Sequence, residues 1–439
     1  MIPKGQYHFT GVAGVGMSSI AQVVLAQGNT VTGSDRDNDS GNDLEVIRKL
    51  KLCGVKFVPQ DGSGVNQDTA GIVVSTAIEN DNPDVLKAQR FGVPLIHRAD
   101  MLARLTEGNS CVAVTGTSGK STVTGMIGWI LDSLGADPVV VNGAPVLNWC
   151  DDSHLGNMRY GASSLWIIEA DESDKSLLRY HPDWAVITNV SKDHFELSES
   201  VQLFKTFSAQ VKKGIVSIIE QPDLFKDFNP QVSDEGSSFV YHDTEFVVPL
   251  PGRHNAENAL HAVVMCERLG NSLNSVRSAL KGFKGIQRRL EKVGEARGVT
   301  IIDDYGHNPA KIRAAWLAVS QAHRRVIGIW RPHGYRPLAS MMDELSSMFA
   351  EVCRPDDCLY ILPVYDAGGT ADRSIKSENL VNVLKEMNLN VVYMADVQEL
   401  VKDVSKLASH GDAIMTMGAR DPHLPELARN ILQAIRSKC

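Results

Sequence analysis

Short apolar runs followed by polar or glycine-rich loops recur along this chain, and most are followed in turn by an amphipathic stretch. Tyr7-His8-Phe9 leads into GVAGVGMSSIAQVVLAQG, where Ile20, Val23, Val24 and Ala26 fall near helical spacing. That pattern predicts a strand, a tight turn and a helix. TVTGSD, ending on Asp35, GIVVST and PLIH read as further strands, and RADMLARLTEGNS as a linker helix with a boundary near residue 107. The pattern restarts with CVAVTGTSGKSTVTGMIGWILDSLG, continues through the strands SLWIIEAD and WAVITNV, and closes on LPGRHNAENALHAVVMCERLG. After FKGIQRRLEKVG it restarts again, with strands at GVTIIDDY, RVIGIWRPH, CLYILPVY and NVVYMAD. Strands alternating with helices predict α/β folding around parallel sheets. We expect three domains, 1–107, 108–287 and 288–439.

Length fits that number, since 439 residues exceed what one ordinary core accommodates. Apolar content of 43% and charged content of 22% are those of globular protein. A net charge of −8 without a long basic run argues against nucleic acid or an anionic membrane as a partner. No apolar stretch is long enough to span a bilayer and no leader pattern opens the chain. The seven cysteines lack zinc-knuckle spacing and read as reduced thiols of a cytoplasmic protein. Oligomeric state is not legible.

The sharpest chemical signal is Gly116-Thr117-Ser118-Gly119-Lys120-Ser121-Thr122, between an apolar strand and a helix. It is shorter than the common phosphate loop, because Val114 occupies the place of the first glycine. The physics is the same: glycines let backbone amides converge on phosphate oxygens at the positive end of a helix. Lys120 suits the β- and γ-phosphates of ATP, and Ser121 suits Mg²⁺. The alternative is a plain Gly/Ser/Thr turn. Glu169, Asp171, Glu172 and Asp174 follow one strand, and Asp193 and His194 another. Carboxylates and an imidazole at strand ends beside a phosphate loop suit a metal ion; the alternative is solvated loop carboxylates and a structural histidine. In GVAGVG the second fingerprint glycine is replaced by Ala13, but Gly14 and Gly16 at a helix start still suit a diphosphate, with Asp35 placed for a ribose or base edge.

Together, in order, GVAGVGMSSIA, VSTAI, HRADML, GTSGKST, EADESD, TNVSKDH, PGRHNAENAL, GIQRRLE, DDYGHNP and TMGARD resemble the Mur ligase family across essentially the whole chain. The likeness is greatest to the branch that joins L-alanine to UDP-N-acetylmuramate. It implies a Rossmann-like UDP-sugar domain, a central ATPase domain of phosphate-loop type, and a Rossmann-like C-terminal domain that receives the acceptor. It implies that ATP phosphorylates a UDP-muramyl carboxylate and that an amine, from an amino acid or a short peptide, attacks the acyl phosphate. Carried onto this chain, Gly116 to Thr122, Asn255, Asn258 and Asp304 would bind ATP. Ser121, Glu169 and His194 would bind Mg²⁺, and Arg289, or its neighbour Arg288, would meet the γ-phosphate. Gly14, Gly16, Ser75 and Arg98 would hold the UDP-sugar, and Tyr305, His307, His333 and Arg336 would face the acceptor.

Departures from the branch pattern fall at Ser118, where it carries His, at Ser121, where it carries Thr, and in Pro332-His333-Gly334-Tyr335-Arg336-Pro337, where Gly334 and Pro337 replace two arginines. Arg331 and Arg336 stand nearest as substitutes. Phe207 occupies the position at which some relatives carry a carbamylated lysine, with Lys205 close by. These departures keep open a ligase that attaches a preformed peptide, or a binding protein without ligation. A dehydrogenase would leave the phosphate loop unexplained.

Overall fold

The computed structural model describes residues 2–190, 196–218, 220–226, 228–233, 236–366 and 373–438. They form two compact units, Met1–Ile286 and Gln287–Cys439.

The first unit holds two large sheets. Five parallel strands are ordered Lys56–Phe57, Thr30–Ser34, Gln6–Thr10, Thr69–Val74, Leu95–His97. The helix Val15–Ala26 begins at Gly14, and a second, Pro83–Phe91, starts with proline at its first turn and Asn82 accepting from the Asp84 amide. That is the usual start signal, because proline lacks the amide that would go unpaired there. Arg98–Thr106 is the expected linker helix.

The next sheet runs Gly214–Ser217, Trp184–Ile187, Ser110–Thr115, Leu165–Glu169, Val139–Val141, Met158–Arg159, the last strand antiparallel. Ser110–Thr115 lies at its centre, wholly apolar between its end residues, as expected of a strand covered on both faces. One apolar cluster joins the first sheet to one face of the second, and another fills the opposite face with the helices Lys120–Ser133 and Arg253–Arg268.

A three-stranded antiparallel sheet, Gln231–Val232, Ser237–Tyr241, Thr244–Val248, was not anticipated from the sequence. Its tight turn uses His242 and Asp243, both at positive φ (44° and 57°). This is the two-residue hairpin geometry without the Asn-Gly signature that normally announces it.

The second unit is one sheet, ordered Glu291–Ala296, Val299–Asp304, Asp412–Met417, Arg325–Trp330, Cys358–Ile361, Val391–Tyr393, all parallel except the first. Apolar clusters cover both of its faces. Six cysteines are free thiols, and among the described residues no helix is long and apolar enough to cross a membrane.

Candidate active site

The phosphate loop connects the central strand Ser110–Thr115 to the helix Lys120–Ser133. Gly116 and Gly119 stand at φ 129° and 84°, a region L-residues seldom occupy. A Cβ on Gly116 would lie 2.2 Å from Thr188 Oγ1, and one on Gly119 would lie 2.3 Å from Asn258 Oδ1. Both positions therefore require glycine twice over, for backbone conformation and for space.

The loop is clamped from the end of the neighbouring strand. The Thr117 amide donates to the Asn189 carbonyl (3.1 Å) and the Ser118 amide to Asn189 Oδ1 (3.1 Å), while the Ser118 carbonyl accepts from Thr188 Oγ1 (2.6 Å) and Asn189 Nδ2 (2.9 Å). Asn142 Nδ2 donates to the Ser121 carbonyl at 3.1 Å. Thr188 and Asn189 open the motif TNVSKDH, but nothing in the sequence says that they clamp this loop, and Asn142 is a lone polar residue at the end of another strand.

Val123 is the first residue of the helix to bond back, to Gly119, so the amides before it point free at a prospective anion. Lys120 lies across the loop, donating to the Gly116 carbonyl (3.0 Å) and pairing with Glu172 (2.7 Å). Burial alone would lower the lysine's pKa, but Glu172, with Glu169 and Asp171 behind it, outweighs burial and raises it. The ammonium stays charged. Glu172 is buried, and the Lys120 ammonium 2.7 Å from its Oε2 is the counter-charge that keeps this carboxylate in place. Asn255 and Asn258 are buried in the first turns of the helix Arg253–Arg268; Asn255 Nδ2 donates to the Pro251 carbonyl at 2.8 Å, and Asn258 lies against Gly119.

A cavity of ≈ 300 Å³ opens between the two large sheets of this unit. Gly14, Gly16, Ser75, Arg98, Glu169 and Asp171 line it, so four residues expected to hold a UDP-sugar meet the carboxylate expected to hold metal. Arg98 bridges the two sheets' loops, donating to Asp174 (3.0 Å) and Asp171 (3.3 Å). Burial works against its charge, but the two aspartates prevail and raise its pKa. Glu169 Oε2 accepts from the Gly143 amide at 2.7 Å, and a Cβ on Gly143 would collide with that carboxylate. Asp35 stands outside the cavity lining: its oxygens accept from the Ala13 amide (2.9 Å) and the Asp37 amide (3.1 Å), holding the glycine turn to the following helix. His194 and Asp193 lie outside the described residues. Lys205 is on the helix Leu197–Ser208, whose buried Phe207 faces the core.

The donor set fits Mg²⁺: the hydroxyl of Ser121 and the carboxylate of Glu169 are hard oxygens, and Glu169 lines the cavity. Among the described residues no three His, Cys, Asp or Glu side chains already form a metal cluster.

In the second unit, Asp304 ends a strand and accepts from the amides of Leu290 (2.9 Å) and Gly306 (2.7 Å). Arg288 and Arg289 flank the Tyr305 ring at 5.3 and 5.0 Å. Their other contacts separate them. Arg288 donates to Asp303 (3.1 Å) and to the carbonyls of Gly418 (2.6 Å) and Asp421 (3.4 Å). No ion pair or hydrogen bond joins Arg289 to a described residue. Burial raises the pKa of Asp303 to about 6 despite its arginine.

His307 packs edge-on against Tyr305 and His333, with centroids 5.5 and 5.0 Å apart. Burial first, and nearby cations second, lower His307 to about 3 and His333 to about 4. Both rings are therefore neutral at physiological pH. His307 Nδ1 lies 3.0 Å from the Tyr305 carbonyl, which can only accept, so Nδ1 carries the proton and Nε2 keeps a lone pair. Arg331 pairs with Asp421 (2.7 Å) and donates to the Pro363 carbonyl (3.2 Å), while Arg336 is exposed on the short helix Tyr335–Ser340.

Comparison with known proteins accounts for this combination. Residues 6–109 match the family description "Mur ligase family, catalytic domain", 114–216 the "Mur ligase middle domain", and 288–420 "Mur ligase, glutamate ligase domain". The UDP-N-acetylmuramate–L-alanine ligase of Bradyrhizobium diazoefficiens is 34% identical over 94% of this chain and 95% of its own, and that of Sinorhizobium fredii 33% identical over 95% of each. Among solved structures, the UDP-N-acetylmuramate–alanine ligase of Thermotoga maritima superposes with a TM-score of 0.81 at 24% identity, covering 98% of this chain and 99% of its own. A murein peptide ligase from Psychrobacter arcticus reaches 0.65 at 22% identity, covering 99% of both chains. These last two are likenesses of fold.

Proposed function

Because this chain belongs to the Mur ligase family of ATP-dependent ligases, we propose that it joins the carboxylate of UDP-N-acetylmuramate to the amino group of an amino acid, L-alanine first, as a step of peptidoglycan precursor synthesis. The proposal divides the labour among residues 1–107 for the UDP-sugar, 108–287 for ATP and 288–439 for the acceptor, and places the reaction in the cytoplasm. The observation that carries it is the cavity in which Gly14, Gly16, Ser75 and Arg98 meet Glu169. A dehydrogenase or a bare ATPase has no use for that meeting. The 34% identical relatives support L-alanine as the first acceptor to try.

A carboxylate is a poor electrophile until it carries a leaving group. One of its oxygens displaces ADP from the γ-phosphorus, giving an acyl phosphate. The acceptor amine then attacks the carbonyl carbon, gives up a proton, and phosphate departs as the amide forms. Catalysis of the first step is mostly alignment and charge neutralisation. The amides that open the helix Lys120–Ser133 and the Lys120 ammonium address the β- and γ-phosphates, Asn255 and Asn258 the nucleoside side, and Asp304 the ribose. Lys120 must exchange its Gly116 and Glu172 contacts for phosphate when ATP arrives. Ser121 and Glu169, with His194, would hold Mg²⁺, which when bound would supply charge neutralisation at the phosphates. Arg289, uncommitted where Arg288 is fixed, is the guanidinium offered to the γ-phosphate. His307, neutral and with Nε2 open, suits accepting a hydrogen bond from the incoming amine; a pKa of about 3 suits orienting it more than deprotonating it.

The test is ADP release with Mg-ATP and UDP-N-acetylmuramate against a panel of amino acids and short peptides, with product masses measured. Release that depends on both substrates, with the matching amide mass, is expected. Turnover independent of both would overturn the reading, and selective use of a preformed peptide would replace L-alanine as the acceptor.

A further inference from the structure

Three neighbouring parallel strands of the second unit, Val299–Asp304, Asp412–Met417 and Arg325–Trp330, end level with one another: Met417 pairs with Asp304 on one side and Trp330 on the other. The chains stay together beyond the strands, since the Gly418 amide donates to the Asp304 carbonyl (3.3 Å) and the Arg331 amide to the Met417 carbonyl (3.0 Å). The loop with Tyr305 and His307, the loop with Gly418 to Asp421, and the loop with His333 and Gly334 are therefore adjacent, at the strand ends where open α/β sheets bind ligands.

The middle loop carries Arg420. Residues on both sides of it are fixed: Arg288 donates to the Gly418 carbonyl, and Asp421 accepts from Arg331 Nη1 and from the His423 amide (2.9 Å). Between these anchors Arg420 is held at φ 53°, a backbone conformation suited to glycine. Its side chain is exposed and makes no hydrogen bond or ion pair to a described residue. A long cation in a position that favours glycine, at a ligand-binding edge, is a functional signal. Meanwhile the residues where this family branch carries arginines are Gly334 and Pro337, and Arg331 is committed to Asp421 and Pro363.

We propose that Arg420 binds the carboxylate of the acceptor, replacing the guanidiniums missing at Gly334 and Pro337, and thereby sets which amines the enzyme accepts. The proposal rests on the ligase reading above. His307 and His333 are uncharged at neutral pH and cannot neutralise a carboxylate, whereas Arg420 and Lys311 are the cations whose charges bear on His333. Arg420 brings a planar fork matched to two carboxylate oxygens, a geometry lysine cannot reproduce.

The test compares the wild type with Arg420→Gly and Arg420→Lys, using each accepted amino acid and its carboxamide. Wild type should prefer the free carboxylate. Arg420→Gly should raise the acceptor KM about 10- to 100-fold, the range for a charged hydrogen bond, leave the KM values of ATP and the UDP-sugar unchanged, and abolish the preference over the carboxamide. Arg420→Lys should recover part of it. Because glycine relieves the backbone, the melting temperature should not fall, so the loss cannot be blamed on unfolding. An unchanged acceptor KM in Arg420→Gly, or a wild type that uses the carboxamide equally well, overturns the proposal while leaving the ligase intact. A wild type that forms no amide with any acceptor overturns the ligase reading itself, and this proposal with it.

Discussion

In the phosphate loop the groups offered to a ligand are backbone amides, and side chains from neighbouring strand ends and a helix hold them in place: Thr188 and Asn189 on one side, Asn258 against Gly119, Asn142 behind Ser121. At the carboxyl ends of the C-terminal sheet the arrangement is inverted. There the groups presented at the loops are side chains, Arg289, His307, His333 and Arg420, and the loops that carry them are anchored by backbone contacts together with Arg288 and Arg331. A site built from backbone depends on conformation and tolerates few substitutions at its glycines. A site built from side chains can be retuned one residue at a time.

The largest effect that would break this contrast is at Lys120, the side chain that lies across the backbone-built loop. Lys120→Ala should lower the rate of ADP formation about 1,000-fold, as for loss of a group acting on transition-state charge. It should also cost stability, on the order of 3 kcal/mol, because it leaves buried Glu172 without its counter-ion. Lys120→Ala combined with Glu172→Gln should restore much of the melting temperature and none of the rate. Recovery of turnover in the double variant would show that the lysine serves only the carboxylate.

The adjacent arginines come next. Arg288→Ala strands Asp303, which is fully buried, and should destabilise the second unit by about 3 kcal/mol. Arg289→Ala should leave stability within about 0.5 kcal/mol, as for other substitutions outside the core, yet lower turnover. Denaturant titration paired with steady-state rates separates the two, and the reverse pattern would exchange their roles.

That pair marks where sequence reading stops. The pattern Gln287-Arg288-Arg289 names two candidates and cannot choose, because the choice depends on Asp303, fifteen positions on from Arg288, and on carbonyls 130 and 133 positions on. The phosphate loop was legible because its strand, glycines, lysine and helix are contiguous. Its clamps were not: Thr188 and Asn189 reach it only through parallel pairing of Trp184–Ile187 with Val112–Thr115. Asp35 shows a role that its place at a strand end did not suggest: its oxygens accept from the Ala13 and Asp37 amides and so hold the glycine turn to the following helix. Most strands of the three large sheets were readable from apolar runs; Lys56–Phe57, Val139–Val141, Met158–Arg159 and Gly214–Ser217 are too short to announce themselves, and the longer Glu291–Ala296 and Asp412–Met417 were not anticipated either.

A smaller effect concerns pH. His261, on the helix behind the phosphate loop, is buried against Phe225 and its pKa is lowered by burial to about 4. The unfolded chain binds a proton below its own pKa while the folded state does not. The contribution is therefore complete above pH 6.5 and is lost as pH falls toward 4. At pH 5 the loss is about 2 kcal/mol, from 1.5 pKa units at 1.36 kcal/mol each. His261→Gln should remove that part of the stability difference between pH 7 and pH 5. His307 and His333 have the same sign, so their rings should put no break near pH 6.5 in the pH profile of acceptor binding.

The smallest effect tests whether the two glycine loops of the first unit are alike. Both follow a strand and open a helix, and in sequence they look like variants of one device. Gly119 is at positive φ, and a Cβ there would collide with Asn258. Gly14 has φ −59°, and the nearest atom to a Cβ, the Gly11 carbonyl oxygen, is 3.4 Å away, an ordinary contact. Gly119→Ala should therefore lose about 2 kcal/mol of stability together with ATP binding. Gly14→Ala should change stability by less than about 0.5 kcal/mol, and its effect should be confined to a few-fold rise in the UDP-sugar KM, because Gly14 lines the cavity without depending on strain to do so. Thermal unfolding of the two variants side by side decides the matter. If Gly14→Ala melts as early as Gly119→Ala, the first loop also depends on its backbone conformation, and the freedom at Gly14 seen in the structure is not the freedom that folding permits.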